Sequence, residues 1–264
     1  MVTIRSIVAF VAVSHWFIFQ MDVHNAFFMV IYVKKFICKF MMAFQVRRSI
    51  RRKGEDLVIV LVYVDDLLVT DNNLNLIEKA RKNLQNRFKM KDLGELKYFL
   101  GIEFSRSEKG IHMCQRNVFN KERLFDERLL EDRSGYQRIV GRLLYLTMTR
   151  PDIAFVVQVL SQFMHAPKQS HLDAAMRVIK YIKGNPGLGL FLPAGGTQKL
   201  VAFCESDWGA CMKTRKSVTS YAVKFGNALI SRKYKNQGTV SRSVSEAKFR
   251  SMATTVAEIK WLVG

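Results

Sequence analysis

Asp56-Leu-Val-Ile-Val-Leu-Val-Tyr63-Val-Asp65-Asp66-Leu-Leu-Val-Thr70 is an apolar, largely β-branched stretch interrupted by two adjacent carboxylates. The run before the carboxylates is short and β-branched, which predicts a buried strand rather than a helix. The run after them, Leu67 to Thr70, predicts the returning strand. Asp65 and Asp66 then fall at the tight turn of a β-hairpin, where their side chains can leave the core. Two neighbouring carboxylates at an apolar hairpin repel each other. A hard divalent cation such as Mg would relieve that repulsion; a solvated turn is the plainer explanation.

Working outward, Trp16-Phe-Ile-Phe-Gln20-Met21-Asp22-Val23 predicts a second buried strand with an acid at its end. Asp22 joins Asp65 and Asp66 if the two strands are neighbours in one sheet. Three carboxylates around two Mg ions form the apparatus for in-line phosphoryl transfer. One metal activates an attacking 3′-hydroxyl and the other stabilises the leaving pyrophosphate.

Tyr63-Val-Asp-Asp66, preceded by Gln20-Met-Asp-Val-His-Asn-Ala-Phe27, resembles the catalytic core of copia-type retrotransposon reverse transcriptases. Met90-Lys-Asp-Leu-Gly-Glu-Leu-Lys-Tyr-Phe-Leu-Gly-Ile-Glu103 and Tyr136-Gln-Arg-Ile-Val-Gly-Arg-Leu-Leu-Tyr-Leu-Thr-Met-Thr-Arg-Pro-Asp152 are similar to the same family, as is the ribonuclease-H-like C-terminal part. The resemblance implies an RNA-directed DNA polymerase with Asp22, Asp65 and Asp66 as catalytic metal ligands and two Mg ions as cofactors. It implies an RNA template and a DNA primer as partners, and deoxynucleoside triphosphates as substrates. Phe27 and Tyr63 would line the nucleotide pocket, where the Phe27 ring would exclude a ribose 2′-hydroxyl. Leu100, Gly101 and Ile102 would grip the primer terminus. In the C-terminal part, Cys204-Glu205-Ser-Asp207-Trp208 stands where the family has Asp-x-Asp-Trp, so Glu205 replaces the first acid. Its extra methylene would displace the carboxylate by over ~1 Å, and a misplacement of that size can cost about 100-fold in rate. Asp207 projects to the same face, and Glu246 is the retained helix acid of this degenerate site.

The chain also departs from the family. Asp22 and Asp65 are only 43 positions apart, and the long insert that the family carries between them, with its Gly-, Gln- and Pro-containing motif, is absent. Lys34 to Arg48 is instead a basic, aromatic-rich segment with the character of a deletion scar. A second shortening is expected between Arg116 and Gly135, and the ribonuclease-H-like part is expected to be truncated after Gly264. Loss of polymerase activity is the expected consequence, and ribonuclease H activity is not expected.

Composition bounds the partners. The 264 residues are 49% hydrophobic, enough for a packed core, and the formal net charge is +20. That balance points to a polyanion, with nucleic acid a better fit than an anionic membrane surface. Cys38, Cys114, Cys204 and Cys211 lack paired metal-ligand spacing, which predicts free thiols in an intracellular compartment, cytoplasmic or nuclear. Ile7 to Phe19 mimics a signal-peptide core but is interrupted by His15. It is too short to span a bilayer, so no membrane role or secretion is expected. Oligomeric state stays open.

The expected fold class is α+β: a partial reverse-transcriptase palm followed by a truncated ribonuclease-H-like α/β unit. Residues 1–125 would form the partial fingers and palm, 126–195 a helical connection, and 196–264 the ribonuclease-H-like part. A helix from about Ile4 to Ser14 leads into the Asp22 strand. Asn73 opens a helix with Ile77, Ala80, Leu84 and Phe88 on one face. Tyr98–Ser105 and Ile111–Gln115 are expected as two strands. Pro151 starts a helix with a wide apolar stripe, and Ser170 with Asp173 caps a second one running Leu172 to Lys183. The last segment should read strand, strand, strand, helix, with Phe249, Met252, Val256, Ile259 and Val263 as the core face of that helix. Three readings remain: a catalytic polymerase, a basic nucleic-acid-binding remnant without catalysis, and an inert product of a degenerate element.

Overall fold

The computed structural model describes residues 2–23, 58–63, 66–88, 90–118, 133–211 and 214–263. The expected basic segment at 34–48, the greater part of the expected connection at 116–135, and Gly264 lie outside them. The described part mixes helices with antiparallel sheets.

Helix α1 (Val2–Ser14) is apolar on nearly every side, and both flanks are buried, including Ile4, Ile7, Val8, Val11 and Ala12. His15 ends it with φ +56, and the Trp16 amide donates to the Val11 carbonyl at 3.0 Å, a six-to-one closure that satisfies the last turn. Strand β1 (Phe17–Val23) follows at once. It lies between β3 (Asp66–Asp71) and β4 (Met90–Glu95), with β2 (Ile59–Tyr63) beyond β3, all antiparallel. Pairing of Tyr63 with Asp66 leaves two residues between β2 and β3, so the expected hairpin forms. Asp66 opens β3 instead of occupying the turn.

Helix α2 (Leu74–Arg87) starts as its sequence demands. The Asn73 side chain accepts from the Asn75 amide at 3.0 Å, and Asp71 accepts from the Asn73 amide at 2.8 Å. Ile77 and Leu84 pack on Met21, Leu67 and Val69, the residues of one sheet face. The other face, carrying Ile18 and Leu68, joins a larger core with α1. That core also takes in Phe99, Ile102, Phe104, Ile111, Met113, Leu190 and Leu192 of a second sheet, ordered β5 (Tyr98–Phe99), β6 (Ile102–Ser107), β7 (Gly110–Cys114) and β8 (Leu190–Pro193). It extends to Tyr221, Val223, Ala228 and Ile230 of a third.

Several elements differ from expectation. The single strand expected over Tyr98–Ser105 is broken by a two-residue turn at Leu100 and Gly101, because both residues take positive φ, +48 and +70. Strands β4 and β8 were not anticipated. β8 brings residues 190–193 onto β7, and a Cβ at Gly189 would meet the Met113 carbonyl oxygen at 2.1 Å, so only glycine permits the approach.

A separate core joins α3 (Arg133–Leu146), α4 (Ala154–Ser161, after a 3-10 turn Pro151–Ile153) and α5 (Gln169–Gly184). Helix α5 begins three residues before the expected Leu172. The expected Ser170 and Asp173 cap is not used; the Lys168 amide donates to His171 Nδ1 at 3.0 Å instead.

The third sheet is β11 (Ala228–Asn236), β10 (Val218–Phe225) and β9 (Leu200–Asp207), and α6 (Val244–Val263) packs on it. The expected Ser243 cap is present, accepting from the Glu246 amide at 3.1 Å. The expected core face is wrong. Ala247, Ser251 and Thr255 are buried, whereas Phe249 is 68% exposed and Met252, Val256 and Val263 are also exposed. Small residues four apart allow a close approach of helix to sheet, and the Ser251 hydroxyl donates to the Glu205 carbonyl at 2.7 Å.

Arg150 ties the helical unit together. Its side chain is fully buried, bonded to both oxygens of Asp152 and, through Nη1, to the Asn185 carbonyl at 3.1 Å; the Tyr181 hydroxyl donates to the same carboxylate at 3.0 Å. Burial works to raise the Asp152 pKa, but the hydrogen bonds from Arg150 and Tyr181 outweigh it and hold the carboxyl below its usual range. The stabilisation is therefore present above about pH 3.9 and lost as pH falls through the lower folded value. Asp152→Asn should cost about 2 kcal/mol at pH 7, less than a fully buried pair because Asp152 is partly exposed. Urea unfolding at pH 7 and pH 3 checks this: the gap between wild type and variant should narrow in acid.

Candidate active site

The pleat of β1 sorts its side chains. Phe17, Phe19 and Met21 turn toward α2, while Ile18, Gln20 and Asp22 turn to the other face. Along that second face the core fades in steps: Ile18 lies opposite Thr70, Gln20 opposite Leu68, and Asp22 opposite Asp66. Directly opposed residues place their Cβ atoms about 4.5–5.5 Å apart. The two carboxylates thus meet where the apolar face ends. Gln20, itself buried, donates from Nε2 to Asp66 Oδ1 at 3.0 Å and holds that carboxylate in place. Tyr63 pairs with Asp66 on the other side and is 45% exposed. Lys91 on β4 pairs with Asp22 and supplies the cation flanking the pair.

Two of the three expected metal ligands are therefore brought together. Asp65 and Phe27 lie outside the described residues. Among the described residues no group of three or more His, Cys, Asp or Glu side chains gathers. The donor set at Asp22 and Asp66, hard carboxylate oxygens at a half-buried sheet end, fits Mg in kind.

Leu100 and Gly101 form the two-residue turn between β5 and β6, and Ile102, paired with Phe99, opens β6. Positive φ at both turn positions matches the twist of a tight hairpin. Glycine adopts it freely; a leucine there is disfavoured by roughly 1–2 kcal/mol. Ile102 is buried in the core beneath. The Tyr145 hydroxyl of α3 donates to the Leu100 carbonyl, and a Cβ at Gly101 would come 3.3 Å from that hydroxyl. Sequence reasoning did not single out Tyr145, because a tyrosine on the polar side of a helix carries no local signal.

The ribonuclease-H-like acids are arranged differently from expectation. Cys204 pairs with Tyr221 and Ser206 with Thr219. Ser231, paired with Val223 on the face of Tyr221, donates to Glu258 of α6 at 2.7 Å, and Gln237 links Thr219 to the Ala247 carbonyl. Those alternate residues face α6, so Glu205 and Asp207 project from the opposite face. Glu246 stays on α6 and accepts from the Arg242 amide at 2.7 Å and from Arg250 at 2.7 Å. The Arg242 amide and then Arg250 hold its pKa below the usual range. The three acids do not converge.

A family model described as reverse transcriptase (RNA-dependent DNA polymerase) matches residues 43–129. That span includes Asp65, Asp66 and Leu100 to Ile102, and leaves out Asp22. The retrovirus-related Pol polyproteins from transposons RE1 and RE2 of Arabidopsis thaliana are 39% and 36% identical over 80% of the chain. The chain spans 16% of the length of each. An uncharacterised mitochondrial protein of the same plant, AtMg00810, is 35% identical over 76% of the chain and is covered over 93% of its own length.

Opposed like charges weaken a strand pair. Asp22→Asn should therefore stabilise the metal-free chain by about 0.5 kcal/mol, read as a higher urea midpoint in the presence of a chelator. An unchanged or lower midpoint would mean that Lys91 already neutralises the pair.

Proposed function

Since the chain belongs to the copia-like retrotransposon Pol family, we propose that it holds an RNA template paired with a DNA primer at a reverse-transcriptase-type palm and has lost the ability to extend the primer. The observation that carries this reading is the register that sets Asp22 directly across from Asp66 at the end of the β2–β3 hairpin. Asp22 and Asp66, with Asp65, would hold two Mg ions. Bound there, the metal would lower the pKa of the primer 3′-hydroxyl and neutralise the departing pyrophosphate. Gln20 would orient the Asp66 carboxylate for that task. Tyr63 and Phe27 would line the pocket for a deoxynucleoside triphosphate, and Leu100, Gly101 and Ile102 would grip the primer terminus. The 43-position interval between Asp22 and Asp65 supports loss of extension, since the family's nucleotide-shaping insert has no room in it.

Residues 1–125, 126–195 and 196–264 would be the palm, a helical connection and a ribonuclease-H-like part. Three antiparallel strands followed by a helix support the last assignment. With Glu205 and Asp207 on one face and Glu246 on the helix across the sheet, no RNA cleavage is expected. Binding without catalysis is favoured by a specific feature as well: Arg177, Lys180 and Lys183 line the exposed side of α5, opposite its buried Ala175, Val178 and Ile182.

The test is Mg-dependent extension of a labelled primer on an RNA template by the full chain, beside Asp22→Asn and Asp66→Asn. All three proteins should retain the duplex and none should extend it. Retention should fall by about a hundredfold or more between roughly 50 and 200 mM salt. Extension by the wild type alone would overturn the loss of catalysis; failure of the wild type to retain any duplex would overturn the binding.

A further inference from the structure

The turn at Leu100 and Gly101 is held from outside its own sheet. Its hairpin has only two residue pairs on the β5 side, Tyr98 with Glu103 and Phe99 with Ile102, and Leu100 adopts a positive φ that leucine disfavours. A turn so built needs an external restraint to keep one conformation. Tyr145 supplies it. Its hydroxyl donates to the Leu100 carbonyl, and its ring end lies against Gly101. The contact crosses 45 residues of chain and joins α3 of the helical unit to the β5–β6 hairpin.

Tyr145 is nonetheless 40% exposed, more than a structural bolt requires. Tyr98, two residues before the turn, and Tyr63, beside Asp66, are exposed too. Burial first, and then Tyr98 and Tyr63, push the Tyr145 phenol pKa up. Tyrosine rings offer flat faces on which a nucleobase stacks without regard to its identity, and hydroxyls that reach sugar or phosphate.

We propose that Tyr145 is a positioning residue for the primer strand: its hydroxyl fixes the Leu100–Gly101 turn, and its ring, with that of Tyr98 beside the same turn, offers a seat for the primer's terminal nucleotide. The inference rests on the primer–template reading above. It gives the helical unit a direct part in placing the 3′ end, through one side chain rather than through its basic face.

The test compares the full chain with Tyr145→Phe and Gly101→Ala. The first removes the hydroxyl and keeps the ring; the second crowds the same contact from the turn side. Two RNA–DNA duplexes are used, one with a recessed primer end and one blunt, each with 2-aminopurine at the primer's last nucleotide. The wild type should bind the recessed duplex and change the fluorescence of the terminal base. Both variants should bind that duplex about fivefold more weakly, the scale of one lost hydrogen bond, with a smaller fluorescence change and unaltered affinity for the blunt duplex. Equal losses on both duplexes, or no loss, would overturn the proposal while leaving the primer–template reading in place. Absence of duplex binding by the wild type would remove that reading and the proposal with it.

Discussion

The pairing register of β1 against β3 governs the rest of the arrangement. Asp22 faces Asp66 only while Phe17 faces Asp71. A slip of one residue would exchange the two faces of β1. Both faces resist that exchange, because each meets a different core: Met21 packs with Leu67, Val69 and α2, and Ile18 packs with Leu68 and α1. Parity is thus set twice, and the paired carboxylates are its by-product. They emerge at the end of the strand where the core face runs out, so their charge reaches solvent without leaving a buried vacancy behind it.

Much of this part was legible from residue patterns. The β2–β3 hairpin follows from two apolar runs around a polar break, and α2 from Asn73 and the Ile77, Ala80, Leu84 series. What was not legible had tertiary causes. Tyr98 to Ser105 alternates like an uninterrupted strand and carries no Asn-Gly signal, so the turn at Leu100 depends on a side chain 45 positions away. Strand β8 is a four-residue run whose role depends on finding β7. Periodicity located the apolar stripe of α6 correctly but not which side is inside; small residues at four-residue spacing won the sheet because they permit closer approach. For the ribonuclease-H-like acids, the common face of Glu205 and Asp207 follows from strand alternation. The side on which α6 packs does not.

The units are joined in two ways. Helix α1 and the second and third sheets share one apolar core. The helical unit keeps its own core and meets the others through contacts that include Tyr145 on Leu100, Thr149 donating to Gln115 at 2.8 Å, Arg232 donating to the Pro151 carbonyl, Phe155 edge-on to Tyr234 at 4.9 Å, and Met148 packed against the larger core. Contacts of this kind set direction as well as distance, since a hydrogen bond tolerates little misalignment. Among the described residues no helix is long and apolar enough to cross a membrane; α1, despite its composition, is buried in the larger core.

Helix α6 presents outward what chains ordinarily show only before they fold. Phe249, Met252 and Val256 stand on its solvent side, and Trp261 is exposed near its end. A surface of that kind adheres to others whether or not the chain beneath it is stable. For this chain, conformational stability and colloidal stability are therefore separate quantities. Tightening the core would raise the melting temperature and leave the tendency to associate unchanged, whereas polar replacements on one face of one helix would do the reverse.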